Sequence, residues 1–100
     1  MFKPLDALLQ NQIRLQIMSL LMGVETADFN FLLEETQASR GNLSVQITKL
    51  KEEGYIKVEK GYKGNYPSTH CALTRKGRAA FVAHFEALKS YWEDGSGTGA

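Results

Sequence analysis

One cysteine, Cys71, stands in a chain of 100 residues. No intramolecular disulfide can form, and a reducing compartment suits such a sequence. Only two prolines, with 43% hydrophobic and 23% charged residues, set intrinsic disorder aside in favour of a globular chain. No apolar run approaches the roughly 18 residues of a membrane span, and Met1-Phe2-Lys3-Pro4 does not open a signal peptide, so a cytoplasmic location is expected. Metal-ligand spacing is missing too. His70 adjoins Cys71 in a strand-like segment, where neighbours face opposite ways, and His84 stands alone in a helical one. Glu34 and Glu35 are sequence neighbours on a helix rather than an acid–base pair, and "GYKGNYP" lacks the spacing of a phosphate loop. No enzyme activity, metal or cofactor is expected.

A large net charge is also absent. The formal value is +1, far from the strongly basic balance that marks many nucleic-acid binders. Its distribution is uneven. Residues 1–38 carry two basic and five acidic side chains, residues 39–78 nine and three, and residues 79–100 one and three. The positive charge therefore lies in one contiguous middle segment that can form one face.

What is present is a succession of short elements. Pro4 at a first helical position, followed by Leu5, Leu8 and Leu9, suggests an opening helix. Asn11 can cap a second, in which Ile13, Ile17, Leu20 and Leu21 recur on one stripe up to Gly23. Glu25-Thr26-Ala27 reads as a brief extended link, and Asp28 as the cap of "FNFLLEET". Three residues, Gln37-Ala38-Ser39, then lead into "RGNLSVQITKLKEEG". Leu43, Ile47 and Leu50 form the inner face of this helix. Gly41, Ser44, Val45, Thr48 and Glu52 form its outer face, flanked by Arg40, Asn42 and Lys49. Beyond Gly54 the period changes to two: "YIKVEKGY" and "STHCAL" read as a hairpin around "KGNYP". Thr74 caps a last helix to about Trp92. One domain over residues 1–94 and a flexible tail over 95–100 are expected.

Two short helices joined by a tight turn, the second presenting small polar and basic groups outward, make a helix-turn-helix whose second helix can enter a DNA major groove. Short donors and acceptors suit base edges. Gly41 costs a helix about 1 kcal/mol relative to Ala, which makes sense where backbone approaches a phosphate. Val45, apolar at the most outward position, is placed to pack on a thymine methyl. The stripe Phe81, Phe85, Leu88 and Trp92 outruns a core of this size and suggests packing on a twin helix. Leu5 and Leu8 are expected at the same dimer interface. A two-fold dimer would set its reading helices about 34 Å apart over a near-palindromic site.

The run "GNLSVQITKLKEEGYIKVEKGYKGNYPSTHCALTRKGRAAF" resembles the winged-helix domains of the MarR-type transcriptional regulators, in particular a compact single-domain subgroup. The likeness extends from "LDALLQNQIRLQIMSLL" through "ADFNFL" to "LTRKGRAAF", and its most specific parts are "GNLS" with "LKEEGYI" and the "LTxxGR" after the hairpin. It implies a mainly α, α+β winged helix-turn-helix with three helices, a two-stranded wing and a long C-terminal dimerisation helix. The helix from Ser39 would read the major groove, and the wing tip would lie along the backbone or in the minor groove. Larger members form a ligand pocket with longer terminal helices, for which this chain has little room; a small-molecule effector is left open.

The expected function is a homodimeric, sequence-specific double-stranded DNA-binding regulator acting as a repressor. Arg40, Asn42, Ser44, Val45 and Thr48 are the candidates for base or near-base contact. Ser39, Lys49, Lys60, Lys63 and Asn65 are the candidates for phosphate contact, Ser39 chiefly as a helix cap. Three alternatives stand beside this reading. The domain could be a protein-interaction module without DNA binding, in which the lysines of the hairpin merely protect a sheet edge. Arg75, Lys76 and Arg78, at the electrostatically wrong end of a helix, could meet an anionic partner or pair with Glu52 or Glu53. Cys71 could be a reactive thiol rather than a packed one.

Overall fold

A computed structural model describes residues 1–96. A 3-10 helix, Ala7–Gln10, precedes α1 (Gln12–Met22), β1 (Ala27–Asp28), α2 (Phe29–Thr36), α3 (Arg40–Glu52), β2 (Ile56–Lys63), β3 (Tyr66–Leu73) and α4 (Arg75–Ser96). The strands form one antiparallel sheet in the order β1-β3-β2. This is a mainly α winged helix with a β wing, the architecture expected from the sequence. No helix among the described residues is long and apolar enough to cross a membrane.

The capping follows from side chains that compete for orphan N–H groups. Asn11 Oδ1 accepts from Arg14 N at 2.9 Å, Asp28 Oδ1 from Phe31 N at 2.7 Å and Ser39 Oγ from Asn42 N at 3.1 Å. Thr74 Oγ1 accepts from Gly77 N at 2.9 Å and donates to Gly54 O at 2.6 Å, so one hydroxyl starts α4 and ties it to the end of α3. Gln37, at φ 59°, closes α2 in the left-handed region. Leu9, Ile17, Met18, Leu21, Leu32, Leu43, Leu50 and Cys71 are fully buried where α1, α2 and α3 meet the sheet.

Four details depart from the sequence reading. The opening helix does not start at Pro4: Asp6 caps the 3-10 helix from Ala7, and residues before it run extended along α4. Lys3 N donates to Ser90 Oγ at 3.0 Å, Asp6 N donates to His84 Nδ1 at 3.3 Å, and the Phe2 ring lies 4.6 Å from that of Tyr91. The spacing fits, because three extended residues and six helical ones both span about 10 Å. The link before α2 is a strand, since Ala27 and Asp28 pair with Cys71 and His70. Two residues of extended chain carry no periodicity from which pairing could be read. The wing turn is narrower than "KGNYP": Gly64 and Asn65 alone connect β2 to β3, with Gly64 at φ 65°. Pro67 is accommodated within β3 because β1 reaches only Cys71 and His70, leaving its other edge unpaired. Finally, α4 continues through Ser96, so the expected tail boundary at 95 falls inside helix; residues 97–100 lie outside the described residues.

Candidate nucleic-acid interface

Helix α3 is amphipathic as its sequence implies. Leu43, Ile47 and Leu50 are buried, while Gly41, Asn42, Ser44, Val45, Thr48, Lys49 and Glu52 are exposed. Val45 is half exposed, although nothing in the chain requires an apolar side chain there. A Cβ on Gly41 would meet no atom within 4 Å, so the fold does not require glycine at that position.

The tertiary structure joins this face to the wing. Ser44, Ile47 and Thr48 of α3 share a groove of about 490 Å³ with Phe29, Thr69 and Lys60. A neighbouring hollow is lined by Phe29, Asn30, Arg40, Pro67, Ser68 and Thr69. Helix α3, the start of α2 and the base of the wing thus frame one continuous concave surface. Arg40 is held on it: its guanidinium lies 5.6 Å from the Phe29 ring centroid and donates to Asn30 Oδ1 at 3.4 Å. Beneath the surface, Arg14, Gln46 and Asn42 form a hydrogen-bonded chain from α1 to the outer face of α3.

The lysines of α3 and the wing differ in state. Lys49 and Lys60 make no ion pair among the described residues, whereas Lys63 Nζ lies 3.2 Å from Asp28 Oδ2. The Asp28 carboxyl is held below its ordinary value chiefly by the Phe31 N–H that it accepts, which outweighs the opposing cost of burial, with Lys63 and His70 adding to the lowering. Lys63 is therefore held by a partner in this structure, whereas Lys60 is not held by an ion pair among the described residues. Asn65 is exposed at the tip, and Ser39 spends its hydroxyl on the α3 cap. Sequence reasoning missed the tyrosines that bracket the tip, Tyr62 at 75% exposure and Tyr66 at 78%. Their position beside the turn in "GYKGNYP" was the available signal.

The basic start of α4 is divided. Lys76 Nζ meets Glu53 O at 2.8 Å and Glu53 Oε1 at 3.8 Å and lies over the Tyr55 ring, so the intramolecular pairing accounts for that residue. Arg78 reaches Met22 Sδ at 3.7 Å. Cys71 is fully buried, and burial pushes its thiol from about 9 up to about 11, which disfavours the reactive thiolate.

Of the residues expected at a dimer surface, Phe81 belongs to the chain's own core, with its ring 4.9 Å from that of Phe85. The correction has a geometric cause. Phe81, His84, Ala87 and Ser90 form the buried line of α4, a spacing of three that slants around the helix from the core at Phe81 to the N-terminal segment at His84 and Ser90. Phe85, Leu88 and Trp92 fall outside it and are exposed, as are Val82 and Tyr91. Leu5 and Leu8 are half-buried, with Leu8 packed against the core.

These features define a winged helix-turn-helix whose helix α3 and wing share a polar, partly basic surface. Residues 13–92 match the family described as winged helix DNA-binding domain, and the chain belongs to that family. An uncharacterized protein of Methanocaldococcus jannaschii is 36% identical over 69 residues, covering 69% of this chain and 75% of the relative. A transcriptional regulator homologue from Pyrococcus horikoshii OT3 superposes with a TM-score of 0.81 at 26% identity, over 89% of this chain and 88% of that one. A MarR-family transcriptional regulator from Silicibacter pomeroyi does so with a TM-score of 0.68 at 17% identity, over 88% and 58%. The fold is that of MarR-like DNA-binding regulators of transcription, and fold and family point to a regulator rather than an enzyme.

Proposed function

We propose that the protein is a homodimeric, sequence-specific repressor that binds double-stranded DNA in the cytoplasm. The observation that carries this reading is the shared groove in which Ser44 and Thr48 of α3 meet Lys60 of the wing. Hydroxyls suited to base edges and a lysine suited to phosphate are displayed on one surface, as a protein straddling a groove edge requires. In this reading Arg40, Asn42, Ser44, Val45 and Thr48 face bases, with Val45 on a thymine methyl. Ser39, Lys49, Lys60, Lys63 and Asn65 face phosphates. The exposed stripe Phe85, Leu88 and Trp92 supports a two-fold dimer through α4. Repression by occupancy needs only tight binding across a promoter, which such a surface can supply.

Fluorescence anisotropy of a labelled random-sequence duplex, titrated across a salt series, tests the DNA contact. A steep fall of log affinity with log salt, with a slope that shrinks in a Lys60→Ala/Lys63→Ala variant, is the expected result. Absence of binding at low salt would overturn the reading in favour of a protein-interaction module.

A further inference from the structure

Asn42 stands exposed in the first turn of α3, and its carboxamide is not free to rotate. Gln46, one helical turn on and buried, donates from Nε2 to Asn42 Oδ1 at 2.8 Å. Gln46 Oε1 in turn accepts from Arg14 Nη1 at 2.5 Å. Arg14 is itself fixed in α1, its Nε donating to Leu8 O at 2.6 Å.

This chain has a direction that does not depend on telling amide oxygen from amide nitrogen. A guanidinium only donates. Gln46 must turn its oxygen to Arg14, so its NH₂ faces Asn42, and Asn42 must turn its oxygen inward. The Asn42 NH₂ is left facing outward. Reversing either amide would set N–H groups against N–H groups in a half-buried site, which costs more than the hydrogen bonds it replaces.

An unconstrained asparagine in the major groove pairs with adenine, accepting from N6 and donating to N7. Asn42, with its oxygen drawn toward the buried Gln46, offers donors only. Guanine presents two adjacent acceptors, O6 and N7, thymine only one, O4, beside its methyl group, while adenine and cytosine each present an amino group that a donor repels. We infer that Arg14 and Gln46 are positioning residues that hold Asn42 donor-outward and so make the reading helix select guanine at the base pair facing Asn42. The inference rests on the proposed placement of α3 in the major groove. It assigns a specificity role to two residues that touch no DNA.

The test is selection from a randomised duplex pool by the full chain, followed by competition anisotropy at the position that Asn42→Ala relaxes. The wild type is expected to favour guanine over adenine there by roughly tenfold. Gln46→Glu retains a pairing with Arg14 but presents a second acceptor to Asn42, which must then turn its oxygen outward. The preference should shift at that one position toward the amino-bearing bases, adenine or cytosine. Arg14→Met frees both amides, and the guanine preference should fall to within about twofold there while other positions keep theirs. Circular dichroism and binding to random-sequence DNA establish that each variant is folded. Should Asn42→Ala relax one position while Gln46→Glu and Arg14→Met leave its preference intact, the relay is overturned and the base contact stands. Should Asn42→Ala relax no position, Asn42 reads no base, and both the placement of Asn42 and the relay fall.

Discussion

A Cβ at Gly77 would lie 2.0 Å from the carbonyl oxygen of Tyr55. The start of α4 is pressed against the residue that opens the wing, and Thr74 N donates to the same Tyr55 oxygen at 3.0 Å. Tyr55 also fixes the N-terminal segment: its hydroxyl donates to Asp6 Oδ2 at 2.5 Å, and burial together with the Asp6 carboxylate pushes its pKa well above the ordinary tyrosine value. The glycine of the "LTRKGR" run thus has a packing reason, and Tyr55 couples the wing, α4 and the N-terminal segment at one point.

Gly77→Ala is expected to destabilise the fold by about 1–3 kcal/mol, as overpacking against backbone does. The urea midpoint should fall at unchanged m-value. A variant as stable as wild type would show that α4 can shift without cost.

Gly41→Ala should separate stability from binding. With open space at the Cβ position, the fold should gain up to about 1 kcal/mol. DNA affinity should drop, because a methyl group would stand where backbone approaches phosphate. Thermal unfolding and anisotropy on the same preparation check both signs. Gain of stability with unchanged affinity would remove Gly41 from the interface.

The two wing lysines should not behave alike. Lys60→Ala is expected to reduce the salt slope by about 1. Lys63→Ala should reduce it less, because Lys63 exchanges Asp28 for phosphate rather than water for phosphate. Asp28→Asn retains a good helix cap and releases Lys63, so nonspecific affinity should rise, and that gain should shrink in the Lys63→Ala background. Equal gains in both backgrounds would show that the two residues are uncoupled.

For the dimer, Phe85→Ser/Leu88→Ser should lower the mass observed by sedimentation from two chains to one while leaving the circular dichroism spectrum unchanged. Trp92, the one tryptophan of the chain, offers a second reading. Its emission should shift to the red as the protein is diluted below the dissociation constant of the dimer. A wild-type chain that sediments as a monomer at micromolar concentration would overturn the dimer.

Cys71 should react slowly with iodoacetamide at pH 8 and quickly once urea unfolds the chain. Its raised pKa means that the folded state holds the thiol proton more tightly than the unfolded state. The stability it contributes is complete below pH 9 and is lost as pH rises toward about 11. Rapid labelling of the native protein would revive a thiol-based signal.

Helices α1, α2 and α3 were readable because each carries its own start, stop and period within a few residues. Asp28 and Ser39 cap from the sequence position expected of them, and Leu43, Ile47 and Leu50 turn inward because helical geometry leaves them no other shared face. The outer face of α3 followed by subtraction. What the sequence could not decide depends on atoms far apart in the chain. Ala27 becomes a strand only when Cys71 arrives beside it. Phe81 is core and Phe85 surface because α4 turns Phe81 into the core cluster, while the N-terminal segment covers His84 and Ser90 further along the same line. Lys63 is paired and Lys60 is not because the wing brings only Lys63 to Asp28. The direction in which Asn42 points its amide is set by an arginine 28 positions earlier through Gln46. Local periodicity chose the elements and their faces, since those depend on backbone geometry over a few residues. Which polar groups are free and which are held was decided by tertiary contact, because a hydrogen bond depends on where its partner lies in space and not on its distance along the chain.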